Sequence, residues 1–94
     1  MFVRVWQYEV RLGAEAEFER VYGSEGEWAQ LFGTSIGYLG TGVYRDVEHA
    51  GRYLTVDRFS GVEAWQQFLQ THRPEYDALD ARTSELTTMD IELV

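Results

Sequence analysis

Ninety-four residues with a formal charge of −8, 45% apolar and 15% aromatic side chains and no cysteine set the first limits on this chain. That length suits a single domain over residues 1–94 with one core, and the missing thiols exclude disulfides and thiolate metal sites. The acidic balance, with its arginines scattered rather than clustered, disfavours phosphate backbones and anionic lipid, so nucleic acid and membrane are not expected partners.

No apolar run approaches the roughly 18 residues of a membrane span, and no basic segment precedes an apolar one, so a cytoplasmic address is expected. Lysine and asparagine are both absent, which removes them from any mechanism.

From the N-terminus, Phe2 to Val10 interleaves Val3 and Val5 with Phe2, Trp6, Tyr8 and Val10, the pattern of a strand covered on both faces. Ala14, Phe18, Val21 and Tyr22 recur at helical spacing among glutamates and predict an amphipathic helix that Gly23 closes. Ser24 to Glu27 reads as a capping box opening a second short helix with Trp28, Leu31 and Phe32 on its apolar stripe. Gly37 to Phe59 then reads as a long hairpin, with strands Tyr38–Tyr44 and Tyr53–Phe59 and a polar loop carrying Asp46, Glu48, His49 and Gly51. Ser60 to Glu63 forms a second capping box before Trp65, Phe68 and Leu69, and Pro74 suits the first turn of a further helix bearing Tyr76 and Leu79. From Thr87 to Val94, Met89, Ile91 and Leu93 alternate with Thr88, Asp90 and Glu92, so this last strand is expected to have one wet face.

Strand, helices, strand, strand, helices, strand is the order of an α+β, ferredoxin-like βααββααβ unit with a four-stranded antiparallel sheet. Helices on one side of such a sheet leave its other face open. Here both parities of the first three strands are apolar or aromatic, more than a soluble monomer exposes, so a homodimer joined sheet to sheet is expected.

The segments YGSEGEWAQLF (22–32), GYLGTGVYRD (37–46), RYLTVDRF (52–59) and AWQQF (64–68), in this order of elements, resemble the antibiotic-biosynthesis monooxygenase (ABM) family over nearly the whole chain. The resemblance implies a dimeric α+β barrel built from two four-stranded sheets, with a pocket between helices and sheet in each subunit. Its cofactor-free oxygenases imply a chemistry without cofactor or metal, in which an electron-rich phenol or anthrone is deprotonated and its anion reduces oxygen. Such a pocket must be apolar, dry, and furnished with a polar group for the anion.

For that group Arg45, Arg58, Tyr76 and His72 are the catalytic candidates, beside Gln7, while Trp6, Tyr8, Tyr38, Trp65 and Phe68 are candidates to line the pocket. Each has a plainer reading: the arginines pair with Asp46 or Asp57, the aromatic residues are core, and His72 is a solvated residue near a helix end. The haem-degrading branch of the family uses an asparagine, a tryptophan and an axial histidine. The corresponding positions hold Trp6, Phe68 and Ala78, so haem degradation is disfavoured. Ligand-spaced histidines, a G-x-S-x-G elbow and a phosphate-binding glycine loop ahead of a helix are all missing. Two functions stay open: a cofactor-independent monooxygenase acting on a small polyketide, anthrone or quinol, and a noncatalytic dimer that binds a small ligand.

Overall fold

The computed structural model describes residues 1–94. In chain order it contains β1 (Phe2–Val10), α1 (Glu15–Tyr22), α2 (Glu27–Phe32), β2 (Tyr38–Arg45), β3 (Arg52–Phe59), α3 (Val62–Thr83), a 3-10 turn (Ser84–Leu86) and β4 (Thr87–Glu92). The four strands form one antiparallel sheet in the order β2-β3-β1-β4, the ferredoxin-like arrangement expected from the element order. No helix is long and apolar enough to cross a membrane.

Strand alternation decides what each face carries. In β3, Tyr53, Thr55, Asp57 and Phe59 are buried beneath the helices, whereas Arg52, Leu54, Val56 and Arg58 face the other way and are half-exposed. The antiparallel register carries this parity into β1, placing Phe2, Arg4, Trp6 and Tyr8 on the helix side and Val3, Val5 and Gln7 on the open side. β4 pairs Asp90 with Tyr8 and Glu92 with Trp6, so its polar side turns towards the helices while Met89 and Ile91 lie on the open face. The wet parity of this strand is therefore the one that looks into the protein's interior layer. The open face carries Val3, Val5, Leu54, Val56, Met89 and Ile91, with Tyr44 and Leu93 at its margins.

Beneath the helices, Phe18, Tyr53, Phe59 and Phe68 are the largest fully enclosed side chains. Phe32 joins two parts of this core, its ring centroid lying 5.1 Å from Phe68 and 5.7 Å from Phe59 in edge-on contacts. Thr83 ties the helices together. Its hydroxyl donates to the Leu79 carbonyl at 2.8 Å and accepts from Tyr22 Oη at 3.1 Å and Trp28 Nε1 at 3.3 Å. That uses its one donor and both acceptor sites.

Neither expected capping box forms. Gly26 and Gly61, not Ser24 and Ser60, occupy the N-cap positions of α2 and α3, and no side chain caps either helix. At Gly26 the reason is steric, since a Cβ there would lie 2.2 Å from the Val21 carbonyl oxygen at the end of α1. Glu27 pairs instead with Arg20 at 2.7 Å. The break expected before Pro74 does occur: α3 leaves helical geometry at His72 (φ −122°, ψ 23°), because proline has no N–H to donate and its ring crowds the carbonyl four residues back. Gly40, at φ +141°, follows a shift in the β2–β3 register that leaves Leu39 outside the pairing.

Candidate functional site

The parity that buries one face of β1 and β3 also assembles a cleft between sheet and helices. Arg4 stands opposite Asp57 and Trp6 opposite Thr55 in the register, and these side chains form the floor with Tyr8. α2 supplies Trp28 and Phe32, and the two halves of the bent α3 supply Trp65 and Tyr76. The cavity measures about 150 Å³, with the exposed Asp80 and Asp90 at its rim.

Its walls are mostly rings in offset or edge-on contact. Tyr76 meets Trp28 edge-on at 5.1 Å and Trp65 at 6.1 Å between centroids, while Trp6 lies nearly parallel to Tyr8 at 6.3 Å. Burial, helped at Tyr76 by the nearby Asp80, pushes the phenols of Tyr8 and Tyr76 above their ordinary range. Both are therefore neutral hydrogen-bond donors at physiological pH.

Arg4 is the cation of the cleft. Its guanidinium carbon lies 4.8 Å from the Trp65 ring centroid and 5.8 Å from that of Trp6, and one terminal nitrogen pairs with Glu92. Its Nε–H is buried without an acceptor. A buried donor left unpaired costs free energy that a bound anion or carbonyl oxygen would recover.

Asp57 is the other buried charge, only 8% exposed. Burial pushes its carboxyl up to about 6, and the Thr41 hydrogen bond and the Arg4 and Arg58 charges only partly offset this. Thr41 Oγ1 donates to Asp57 Oδ1 at 2.7 Å and accepts in turn from the Tyr38 hydroxyl.

The residues singled out from the sequence divide by parity and position. Trp6, Tyr8, Trp65 and Tyr76 line the cleft together. Phe68 lies behind the wall, fully buried against Phe32 and Trp65, and Tyr38 reaches the cleft only through Thr41. Arg58 is on the open face, 3.4 Å from the Tyr44 hydroxyl, because its position in β3 has the outward parity. Arg45 has the inward parity but sits at the end of β2, where it is 68% exposed and 3.9 Å from Glu19. Gln7 also faces outwards, opposite Leu54 and Ile91. His72, at the α3 bend, lies 3.5 Å from Glu75 and 3.3 Å from Thr34, beside a separate shallow cleft.

Arg4 and Asp57 were not singled out from the sequence, although a signal was present. Each is a lone charge on the strand parity that otherwise carries aromatic residues: Phe2, Trp6 and Tyr8 around Arg4, Tyr53 and Phe59 around Asp57. No group of three His, Asp or Glu side chains converges to hold a metal ion. The cleft offers haem iron no imidazole: His72 lies outside it, and His49 pairs with Asp46 in the hairpin loop.

No protein-family model matches the chain, and no curated protein matches it. Solved structures do. SnoaB, a cofactor-independent oxygenase from Streptomyces nogalater, aligns with a TM-score of 0.67 over 98% of this chain and 89% of its own, at 23% identity. An MhuD mutant with two manganese protoporphyrin IX molecules bound per active site aligns at 0.65 over 97% of this chain and 88% of its own, at 25% identity. PA3566 from Pseudomonas aeruginosa aligns at 0.59 over 97% and 89%, at 12% identity. This chain shares their fold along nearly its entire length.

Proposed function

We propose that this chain, which carries the fold of the antibiotic-biosynthesis monooxygenases, is a cytoplasmic, cofactor-independent monooxygenase for a small electron-rich aromatic of the polyketide, anthrone or quinol type. The observation that carries this reading is Arg4, a guanidinium held between two tryptophan rings with a buried donor still free, in a cleft walled by rings. A planar substrate would stack against Trp6, Trp65 and Tyr76, with its ionised oxygen on Arg4 and the neutral hydroxyls of Tyr8 or Tyr76 beside it. For an anthrone, the anion passes an electron to dioxygen and the radical pair recombines. Collapse of the peroxide then turns the methylene into a carbonyl and releases the second oxygen atom as water. The protein supplies a ring-walled cavity and a fixed cation where negative charge develops.

The reading includes a homodimer. Its support is the open sheet face, where Val3, Val5, Leu54, Val56 and Ile91 gather without a covering layer from their own chain. Light scattering should return about twice the 10.9 kDa chain mass. A monomer at micromolar concentration would remove the barrel from the proposal.

Catalysis is tested by oxygen uptake with an anthrone and hydroquinone panel in metal-free buffer. Arg4→Met, which keeps most of the stem, should lower turnover by about a hundredfold if the guanidinium holds the anion. Arg45→Ala and Arg58→Ala test the hairpin arginines in the same assay, and a loss confined to either would move the anchor there. The noncatalytic reading keeps one observation in its favour: Asp57, Asp80 and Asp90 together outnumber the single cation of the cleft. Ligand binding without oxygen uptake across the panel would select it.

A further inference from the structure

We propose that Asp57 is the general base of this cleft, taking the acidic hydrogen from the substrate before oxygen reacts. The inference rests on the oxygenase reading for its substrate class, but the proton transfer stands apart from oxidation and is tested separately. Asp57 combines access to the cleft, a fixed orientation and an unoccupied acceptor. It lines the cavity floor, Thr41 holds its Oδ1, and its Oδ2 accepts no hydrogen bond from the protein.

The orientation is built from β2. Thr41 spends its hydroxyl hydrogen on Asp57, so the Tyr38 hydroxyl donates to Thr41, a two-bond chain that ends on the carboxylate. Arg4 faces Asp57 across the β1–β3 register without closing an ion pair on it, its terminal nitrogen being engaged by Glu92. The guanidinium donors that Glu92 does not take are thus left for the anion that deprotonation creates.

The step balances within the cleft. The C–H bond of an anthrone methylene, or the O–H bond of a quinol, breaks; its electron pair stays on the substrate and the proton forms an O–H bond on Asp57. The charges set the working range. Tyr8 from β1, Tyr76 from α3 and Tyr38 from β2 surround Asp57 as neutral groups, Arg4 and Arg58 lower its pKa, and burial outweighs them, leaving the carboxyl at about 6. Asp80 and Asp90 stand further off at the rim. Such a base is ionised at neutral pH yet far more basic than a surface aspartate, which is where general-base efficiency is greatest.

The experiment is deuterium incorporation into the methylene of dithranol, an anthrone, followed by mass spectrometry in deuterated buffer without oxygen, with oxygen uptake measured in parallel. Wild type should accelerate exchange, with a rate that rises as pH increases through about 6 and then levels. Asp57→Asn should slow exchange and uptake by about a hundredfold or more while dithranol still quenches tryptophan fluorescence. Thr41→Val leaves the carboxylate in place but removes a bond that favours its ionised form, so the pH limb should move upwards. Exchange that persists in Asp57→Asn overturns the assignment, as does a pH limb unmoved by Thr41→Val or a wild type that catalyses no exchange. Exchange that needs Asp57 without any oxygen uptake would uphold the base and reject the oxygenase reading.

Discussion

The two faces of the sheet hold their charges in different company. The helix-covered face carries Arg4, Asp57, Asp90 and Glu92 among its aromatic residues, while the face left open by this chain sets valine, leucine, isoleucine and methionine beside Gln7, Arg58 and the Glu9–Arg52 pair. A face chosen only for stability would place the charges outside, because burying them costs several kcal/mol unless they are well paired. The covered face keeps a buried donor without an acceptor and a carboxyl lifted by desolvation, features of a site made to receive something polar. The open face pairs Glu9 with Arg52 at 2.7 Å and leaves its apolar side chains without a covering layer from this chain.

The largest effect that would sharpen this contrast lies in the core under the covered face. Phe68→Ala removes a fully buried ring between Phe32 and Trp65 and should cost about 3–5 kcal/mol in denaturant unfolding. Full stability with loss of ligand binding would make Phe68 part of the pocket instead of its backing. Next comes Val56→Asp on the open face. In a two-fold interface the substitution enters twice, and about 2 kcal/mol or more per buried carboxylate should weaken association by well over a hundredfold. Light scattering would then report the single chain mass, whereas an unchanged mass would mean this face is not the interface.

A smaller effect, of opposite sign, is expected at Asp57. Because burial raises its pKa from 3.8 to about 6, the folded chain holds this proton more tightly than the unfolded chain, so stability falls as pH rises between those values. Asp57→Asn should remove that slope and stabilise the protein at neutral pH by about 1–2 kcal/mol, seen as a higher midpoint in thermal unfolding at pH 7.5 than for wild type. Destabilisation at neutral pH would mean the carboxylate is better compensated than its surroundings indicate. The smallest effect belongs to apolar side chains outside either face. Leu12 and Ile36 are 98% and 97% exposed, and Ile36→Ser should change stability by less than about 0.5 kcal/mol. A large loss there would point to a second covered surface, away from the sheet.

Much of the fold was legible in the sequence because periodicity reports directly on which residues share a side. The Tyr38–Tyr44 and Tyr53–Phe59 strands, the split first helical region and the break ahead of Pro74 all follow from spacing and from proline's missing donor. The caps were misread because Ser24 and Ser60 compete with glycines two or one residues on, and the tight approach of Gly26 to the end of α1 is a tertiary fact. The site was half legible. Trp6, Tyr8, Trp65 and Tyr76 do meet, but alternation gives two parities without saying which one the helices cover. That choice is made by the side of the sheet on which the helices pack, and the β1–β3 register then carries it from strand to strand. It sends Arg58 outwards, and brings Arg4 and Asp57, more than fifty residues apart, to one floor.

The hydroxyl of Thr83 has a consequence for how the helical layer breathes. With bonds to Tyr22 of α1, Trp28 of α2 and Leu79 of α3, it links the three helices at one buried point. None can lift from the sheet alone without leaving one of these groups dry and unpaired, so opening is shared, and their slowest-exchanging amides should lose protection together. The strap of chain from Thr34 to Gly37 lies outside this linkage and answers to other contacts: Thr34 and Ser35 bond back to Leu31 and Phe32 at the end of α2, and the Gly37 carbonyl accepts from the Ser60 N–H.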